Sequence, residues 1–216
     1  MPKIEFGFDQ YNSNSRSLFY PKSAKEFIPD WYKSLNKSIQ LKKCMPFLDG
    51  MLSGYIAELI RDVDVKIING EPITADPSLV NYRPGSSTGF MSVPHGHHEK
   101  HFVWQSPFIL KTDPGYSVLV THPFNRFDLP FTTLSAICDA DGIVPSGNVP
   151  FFIKQGFEGT IKAGTPIFQI LPFKRETWES ENNQGLVGEN IQRDAKFDRS
   201  NENFYRDTYW KKKEYK

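Results

Sequence analysis

Four of the five histidines fall in one eight-residue stretch, PHGHHEKH, as His95, His97, His98 and His101; the fifth is His122. Neutral imidazole is the commonest metal ligand among side chains. On an extended strand His95 and His97 face one way, as do Glu99 and His101. His95, His97, Glu99 and His101, joined by His122, offer the ligand types taken by Zn or non-haem Fe, so a metal-dependent enzyme is one reading. The other is an exposed polar loop, because Pro94 and Gly96 both favour a turn. A second group is HPFNRFD, with His122, Asn125, Arg126 and Asp128 just after an apolar run, where site residues gather. Arg126 has the planar fork that clamps a carboxylate or phosphate. Its alternative is a structural ion pair with Asp128, Asp139 or Asp141, with Asn125 in an Asx turn. The third group is the acidic turn AICDADG, carrying Asp139 and Asp141.

These residues need a frame. From Pro107 to Arg175 short runs rich in Val, Ile, Phe and Thr alternate with Pro, Gly, Asn and Asp, which is the spacing of successive antiparallel strands. The expected fold is α+β, mainly β: an antiparallel β-sandwich or barrel, jelly-roll or β-clip-like. Its core should come from Phe102, Trp104, Phe108, Leu110, Val118, Val120, Leu134, Ile137, Phe152, Ile161, Ile167, Phe168 and Ile170. The polar groups named above should gather on one rim of the sheet.

Toward the N-terminus, Ile4, Phe6 and Phe8 alternate as in a strand, and QYNSNSRS reads as a polar loop. A helix can open at Ser23 with Glu26 as capping-box partner. Pro29 must divide it, giving two short helical pieces near 23–35. Met51, Leu52, Tyr55, Ile56, Leu59 and Ile60 form a helical stripe over 48–60, with a strand through GYIAELI as the competing reading. Residues 62–68 read as a strand entering a hairpin at Asn69-Gly70, and 75–89 as a loop. Ser106-Pro107 interrupts a strand and calls for a bulge or an edge position.

The boundaries are a β-rich domain over 1–178 and a polar C-terminal arm or helix over 179–216. The arm alternates charge sign and carries Phe197, Phe204, Tyr205, Tyr209 and Trp210, which suits docking on another copy or another protein subunit. Lys211–Lys213 beside Trp210 reads as a solvated basic terminus. A net charge of +1 gives no general pull toward nucleic acid or an anionic membrane, so neither is an expected partner. MPKIEFGFDQ lacks the apolar region of a signal peptide, and no apolar run reaches membrane-spanning length. Cys44 and Cys138 belong to no C-x-x-C and are expected as buried, reduced thiols.

Two resemblances follow. AICDADG with Ile161, Gly164, Ile167 and Gln169 resembles the dUTPase and dCTP-deaminase β-clip family. That resemblance implies nucleotide binding, with Asp139 as the water-activating carboxylate. HPFNR stands where that family's phosphate motif would be. A broader likeness, over roughly residues 20–180, is to an uncharacterised family of β-rich proteins from marine T4-like phages and some bacteria. It rests on FIPDWYK, on the run from Lys42 to Tyr55, on Pro114–Ser117, on P-x-N-R, on the D-x-D strand end and on Gly164–Glu176. It implies a phage or bacterial origin, a place in the host cytoplasm or virion, and no particular substrate.

Overall fold

A computed structural model describes residues 1–8, 20–83, 91–144, 146–198 and 203–216. The loop expected at 10–17 and the second half of the one expected at 75–89 lie outside the described residues. Strands β1 (Ile4–Phe8), β6 (Val80–Arg83), β7 (His97–Thr112), β9 (Phe131–Thr133) and β11 (Ser146–Lys154) form one sheet in the order β1-β7-β11-β9, with β6 beside β7. Strands β2 (Lys22–Ser23), β3 (Tyr55–Glu58), β8 (Tyr116–Thr121), β10 (Ala136–Cys138) and β13 (Pro166–Lys174) form a second, in the order β10-β8-β13-β3-β2. A third, smaller sheet is β12 (Gly159–Ile161), β4 (Val63–Ile68) and β5 (Glu71–Thr74). Every pairing is antiparallel. The molecule is therefore α+β and mainly β, sandwich-like, and the sheets do not close into a barrel.

One apolar cluster joins the two large sheets. Trp104, Phe131 and Phe151 come from the first; Val118, Ile167, Phe168 and Ile170 come from the second. Trp104 stacks on Phe151 with ring centroids 3.7 Å apart and planes 6° from parallel, and meets Phe131 edge-on at 4.9 Å. The polar end of this aromatic block is satisfied across the sandwich. The Trp104 indole donates to Thr133 Oγ1 (3.2 Å), and that hydroxyl donates to the Ile167 carbonyl (2.6 Å). A buried Trp needs such a partner, and here the partner also ties one sheet to the other.

Most expected core residues are buried. Ile137 is the exception at 67% exposed, because β10 is an edge strand and turns that side chain outward; Val120 and Leu134 are half-buried. Phe152 is buried outside the main cluster, stacked on His101. Cys44 is exposed and Cys138 half-buried, both free thiols, so the first is not the buried thiol expected.

The helical pieces are shorter than the sequence pattern suggests. A 3-10 turn (Ala24–Phe27) and α1 (Asp30–Lys33) flank Pro29, as the proline requires, but Ser23 makes no side-chain capping bond. α2 (Gln40–Lys43) leads to α3 (Met45–Leu52), which stops well short of Ile60, and Tyr55–Glu58 is strand. The reason is Gly54. It has φ +73°, and a Cβ there would lie 2.1 Å from the Ile170 carbonyl oxygen. Only glycine permits this approach, which turns the chain out of α3 and lays it along β13. The hairpin between β4 and β5 turns on Asn69 (φ 53°) and Gly70 (φ 81°), the two positive φ values a tight I′ turn needs. β6 occupies part of the expected 75–89 loop.

Candidate cleft and the fate of the sequence candidates

β7 decides what becomes of the histidines. At its start, two steps along β11 (Lys154 to Phe152) match four along β7 (His97 to His101), so β7 bulges by two residues. A second bulge of the same size spans Ser106-Pro107, where the proline has no N–H to give a neighbour. The first bulge breaks the period-two alternation. His97 and His101 are buried while Glu99 is exposed, and His95 sits exposed on the turn before the strand. His97 spends both ring nitrogens. Nδ1 donates to the His95 carbonyl (3.0 Å) and Nε2 accepts from the Thr132 hydroxyl (2.9 Å). His101 stacks on Phe152 at 5.2 Å, and both its nitrogens are buried without a hydrogen-bond partner among the described residues; Nε2 of His98 is in the same condition. Burial, aided by the Arg83 cation, pushes the His101 pKa down. Among the described residues no three His, Cys, Asp or Glu side chains stand close enough to hold a metal ion.

His122 lies elsewhere, at the end of β8. The Thr133 amide donates to its Nδ1 (3.3 Å), so the ring proton is on Nε2, which donates to the Arg126 carbonyl (3.0 Å). Burial holds its pKa below the ordinary histidine value, and the bond to Arg126 only partly offsets this. A neutral imidazole with both nitrogens engaged braces the loop it begins. Asn125 in that loop takes φ 61°, a left-handed conformation to which asparagine is suited. Arg126 folds back on Asp128, with Nε at 2.9 Å from Oδ1 and Nη2 at 2.9 Å from Oδ2. Burial would raise the Asp128 pKa, but the guanidinium bonds outweigh it and hold the value low. Arg126 is thus the structural ion pair of the two alternatives.

The acidic turn is at the other end of β8, beside Gly115, which lies seven residues before His122, on the order of 20 Å along an extended strand. The expectation of one shared rim is therefore corrected. Asp141 pairs with Arg175 through two bonds (Nη1 at 2.8 Å) and accepts from the Gly115 amide at 2.8 Å. These contacts hold its carboxyl well below the usual carboxylate range. Asp139 is exposed, accepts from the Ser117 hydroxyl at 2.6 Å and lies 3.4 Å from Arg175. The pair fastens the end of β13 to the start of β8.

Gln169, named in the sequence only through the β-clip resemblance, is a buried amide with a bonding role that the sequence did not indicate. Its Oε1 accepts from the Phe124 amide (2.9 Å), and its Nε2 donates to the carbonyls of Gly50 (3.0 Å) and Ser53. One side chain on β13 thereby holds α3 and the 122–129 loop together. Beside it is a cleft lined by Phe27, Pro29, Met51, Phe124, Arg126 and Gln169, with Ile56, Pro123 and Pro166 completing the wall. It is shallow: its enclosed volume is about 10 Å³, room for about one water, and the rest is open to solvent. Four separate sequence stretches meet there: FIPDWYK, the run through α3 into β3, HPFNR and GTPIFQI. No family model and no curated protein matches the chain.

Proposed function

We propose that this chain is a β-rich binding module whose shallow apolar cleft makes surface contact with an apolar side chain of a protein partner. The observation that carries this reading is the convergence of those four stretches on a small, apolar, pre-formed cleft. The enclosed space, about 10 Å³, is far below the roughly 300–1,000 Å³ of sites for drug-sized ligands, so the cleft's apolar mouth is a contact surface rather than a chamber. The polar candidates named from the sequence favour binding over catalysis. His122, Arg126, Asp139 and Asp141 are each engaged by neighbours in the folded chain. The likeness to phage proteins supports a phage or bacterial setting, in the host cytoplasm or the virion.

Panning a random peptide display library against the full chain tests the reading. The expected result is enrichment of peptides with one apolar anchor, whose affinity falls about tenfold in Phe124→Ala, the loss typical of a hot-spot contact. Absence of enrichment, or affinity indifferent to Phe124→Ala, would contradict it.

A metal-dependent enzyme of sandwich fold, using Fe or Zn, is a second reading. It rests on one observation, the buried and unpartnered nitrogens of His98 and His101. Stoichiometric Fe or Zn in elemental analysis of the purified protein, lost in His101→Ala, would favour it. The β-clip likeness, with Asp139 activating water, has no such support, as Asp139 is bonded to Ser117 and paired with Arg175.

A further inference from the structure

The net charge of +1 conceals a segregation of charge along the chain. Residues 20–48 carry six basic and two acidic side chains, and residues 203–216 carry five basic and two acidic. The two stretches together hold an excess of seven positive charges; the rest of the chain holds an excess of six negative ones. A total near zero therefore says nothing about the field over one face.

The fold brings the two basic stretches together on α3 and β3. Ser23 of β2 pairs with Tyr55, the Ala24 amide donates to the Gly54 carbonyl (3.0 Å), and α2 runs directly into α3. After α4 (Gly185–Asp198) and α5 (Phe204–Thr208), the end of the chain reaches the same elements. The Trp210 indole donates to Asp49 Oδ2 (2.9 Å), and Lys213 pairs with that carboxylate. Tyr215 meets the Tyr55 ring edge-on at 6.0 Å, and the Tyr55 hydroxyl donates to the Lys216 carbonyl (3.0 Å).

The carboxylates of this face are largely spent. Lys213 takes Asp49, Lys22 takes Glu58, Lys33 takes Asp30 (3.1 Å) and Lys212 takes Glu214 (2.6 Å); Glu26 is left unpaired among the described residues. Lys25, Lys37 and Lys211 have no carboxylate partner among the described residues, and Lys42 gives its ammonium to the Tyr32 carbonyl (2.8 Å). Aromatic rings are interleaved with these cations, as Trp31-Tyr32-Lys33 and as Tyr209-Trp210-Lys211. Trp31 is half-buried, and Tyr205 and Tyr209 are exposed.

We propose that the face built from residues 22–43 and 205–216 binds single-stranded nucleic acid. Its lysines take the phosphates, and its accessible rings stack on unpaired bases, the combination by which single strands are held without regard to base order. Lysines alone would suit any polyanion. The rings favour one whose charges alternate with flat bases over a lipid headgroup or an acidic peptide.

Fluorescence anisotropy of labelled oligo(dT) and oligo(U), each of about 16 nucleotides, titrated with the full chain reads this directly. The two arms separate DNA from RNA. At least one should bind, more tightly than the corresponding duplex, and the log of the affinity should fall with the log of salt by about 0.7 per phosphate contacted. Lys37→Gln combined with Lys211→Gln should lower that slope by about 1.4. Tyr209→Ala should weaken binding about tenfold and leave the slope as it was. All three side chains are exposed, and melting temperatures should match the parent chain. No binding in either arm, affinity indifferent to salt, a slope unchanged in the double variant, or affinity unchanged in Tyr209→Ala would each overturn the proposal. So would tighter binding to phosphatidylserine vesicles than to either oligonucleotide. None of these outcomes depends on the cleft.

Discussion

The start of β7 and the loop after β8 contain the same kind of side chain in opposite circumstances. Around His101 a buried imidazole has no hydrogen-bond partner among the described residues, and Phe152 of β11 only stacks on its ring. Around His122 the polar groups are answered: the ring by the Thr133 amide and the Arg126 carbonyl, Arg126 by Asp128, and the Phe124 amide by Gln169, 45 residues on in the chain. The cluster that is dense in sequence disperses on the bulged strand. The groups that are sparse in sequence converge on one cleft. Crowding of one residue type in a chain is therefore weaker evidence of a site than distant segments that complete one another's hydrogen bonds.

That contrast can be broken or sharpened by substitution, beginning with the cleft. Gln169→Leu removes the partner of three part-buried backbone groups at once, and an unsatisfied group costs about 1 kcal/mol at the low end of the buried range. Urea denaturation should show a loss of about 3 kcal/mol by the same count. A loss under a third of that would mean the amide is not the pin of α3 and the 122–129 loop. Next come the histidines. His122→Phe strands the Thr133 amide and the Arg126 carbonyl and should cost about 2 kcal/mol, whereas His101→Leu removes two unanswered nitrogens and should stabilise by about 1 kcal/mol. Equal effects of the same sign would erase the distinction between the two regions. Both histidines have folded pKa values pushed below the unfolded value near 6.5, so each favours folding while neutral. Their contribution is present above pH 6.5 and lost as pH falls below it. His101→Leu should flatten the decline in melting temperature between pH 7 and 5. The smallest effect is at Asp128. Its lowered pKa contributes stability above the unfolded carboxylate value, lost as pH falls below about 4. With 43% of that side chain exposed, screening reduces the cost of Asp128→Asn to about 0.5 kcal/mol, and 0.5 M salt should shrink it further.

The sheet was legible because its strands carry local signals: alternation at Ile4–Phe8, Asn69-Gly70 at the hairpin, Pro107 at a bulge. α3 was overextended because the stripe from Met51 to Ile60 has helical spacing, while the feature that ends the helix, Gly54 against the Ile170 carbonyl, is a contact across more than a hundred residues. Ile137 was misplaced for a related reason. Strand propensity is written in the residue, but whether a strand lies at an edge is decided by topology. Within the site, Arg126 with Asp128 was readable as one of two alternatives. The roles of Gln169 and Thr133 were not, since each depends on a partner brought near only by folding. The cleft's segments could be singled out by resemblance, and only the fold reveals that they meet.

Mapping of a selected apolar-anchor peptide by amide chemical-shift changes in the labelled full chain tests the central claim most directly. The cleft predicts shifts concentrated at Met51, Phe124, Arg126 and Gln169, with the β7 histidines unmoved. Shifts centred on His97–His101, or spread over the sheet with none at the cleft, would contradict it.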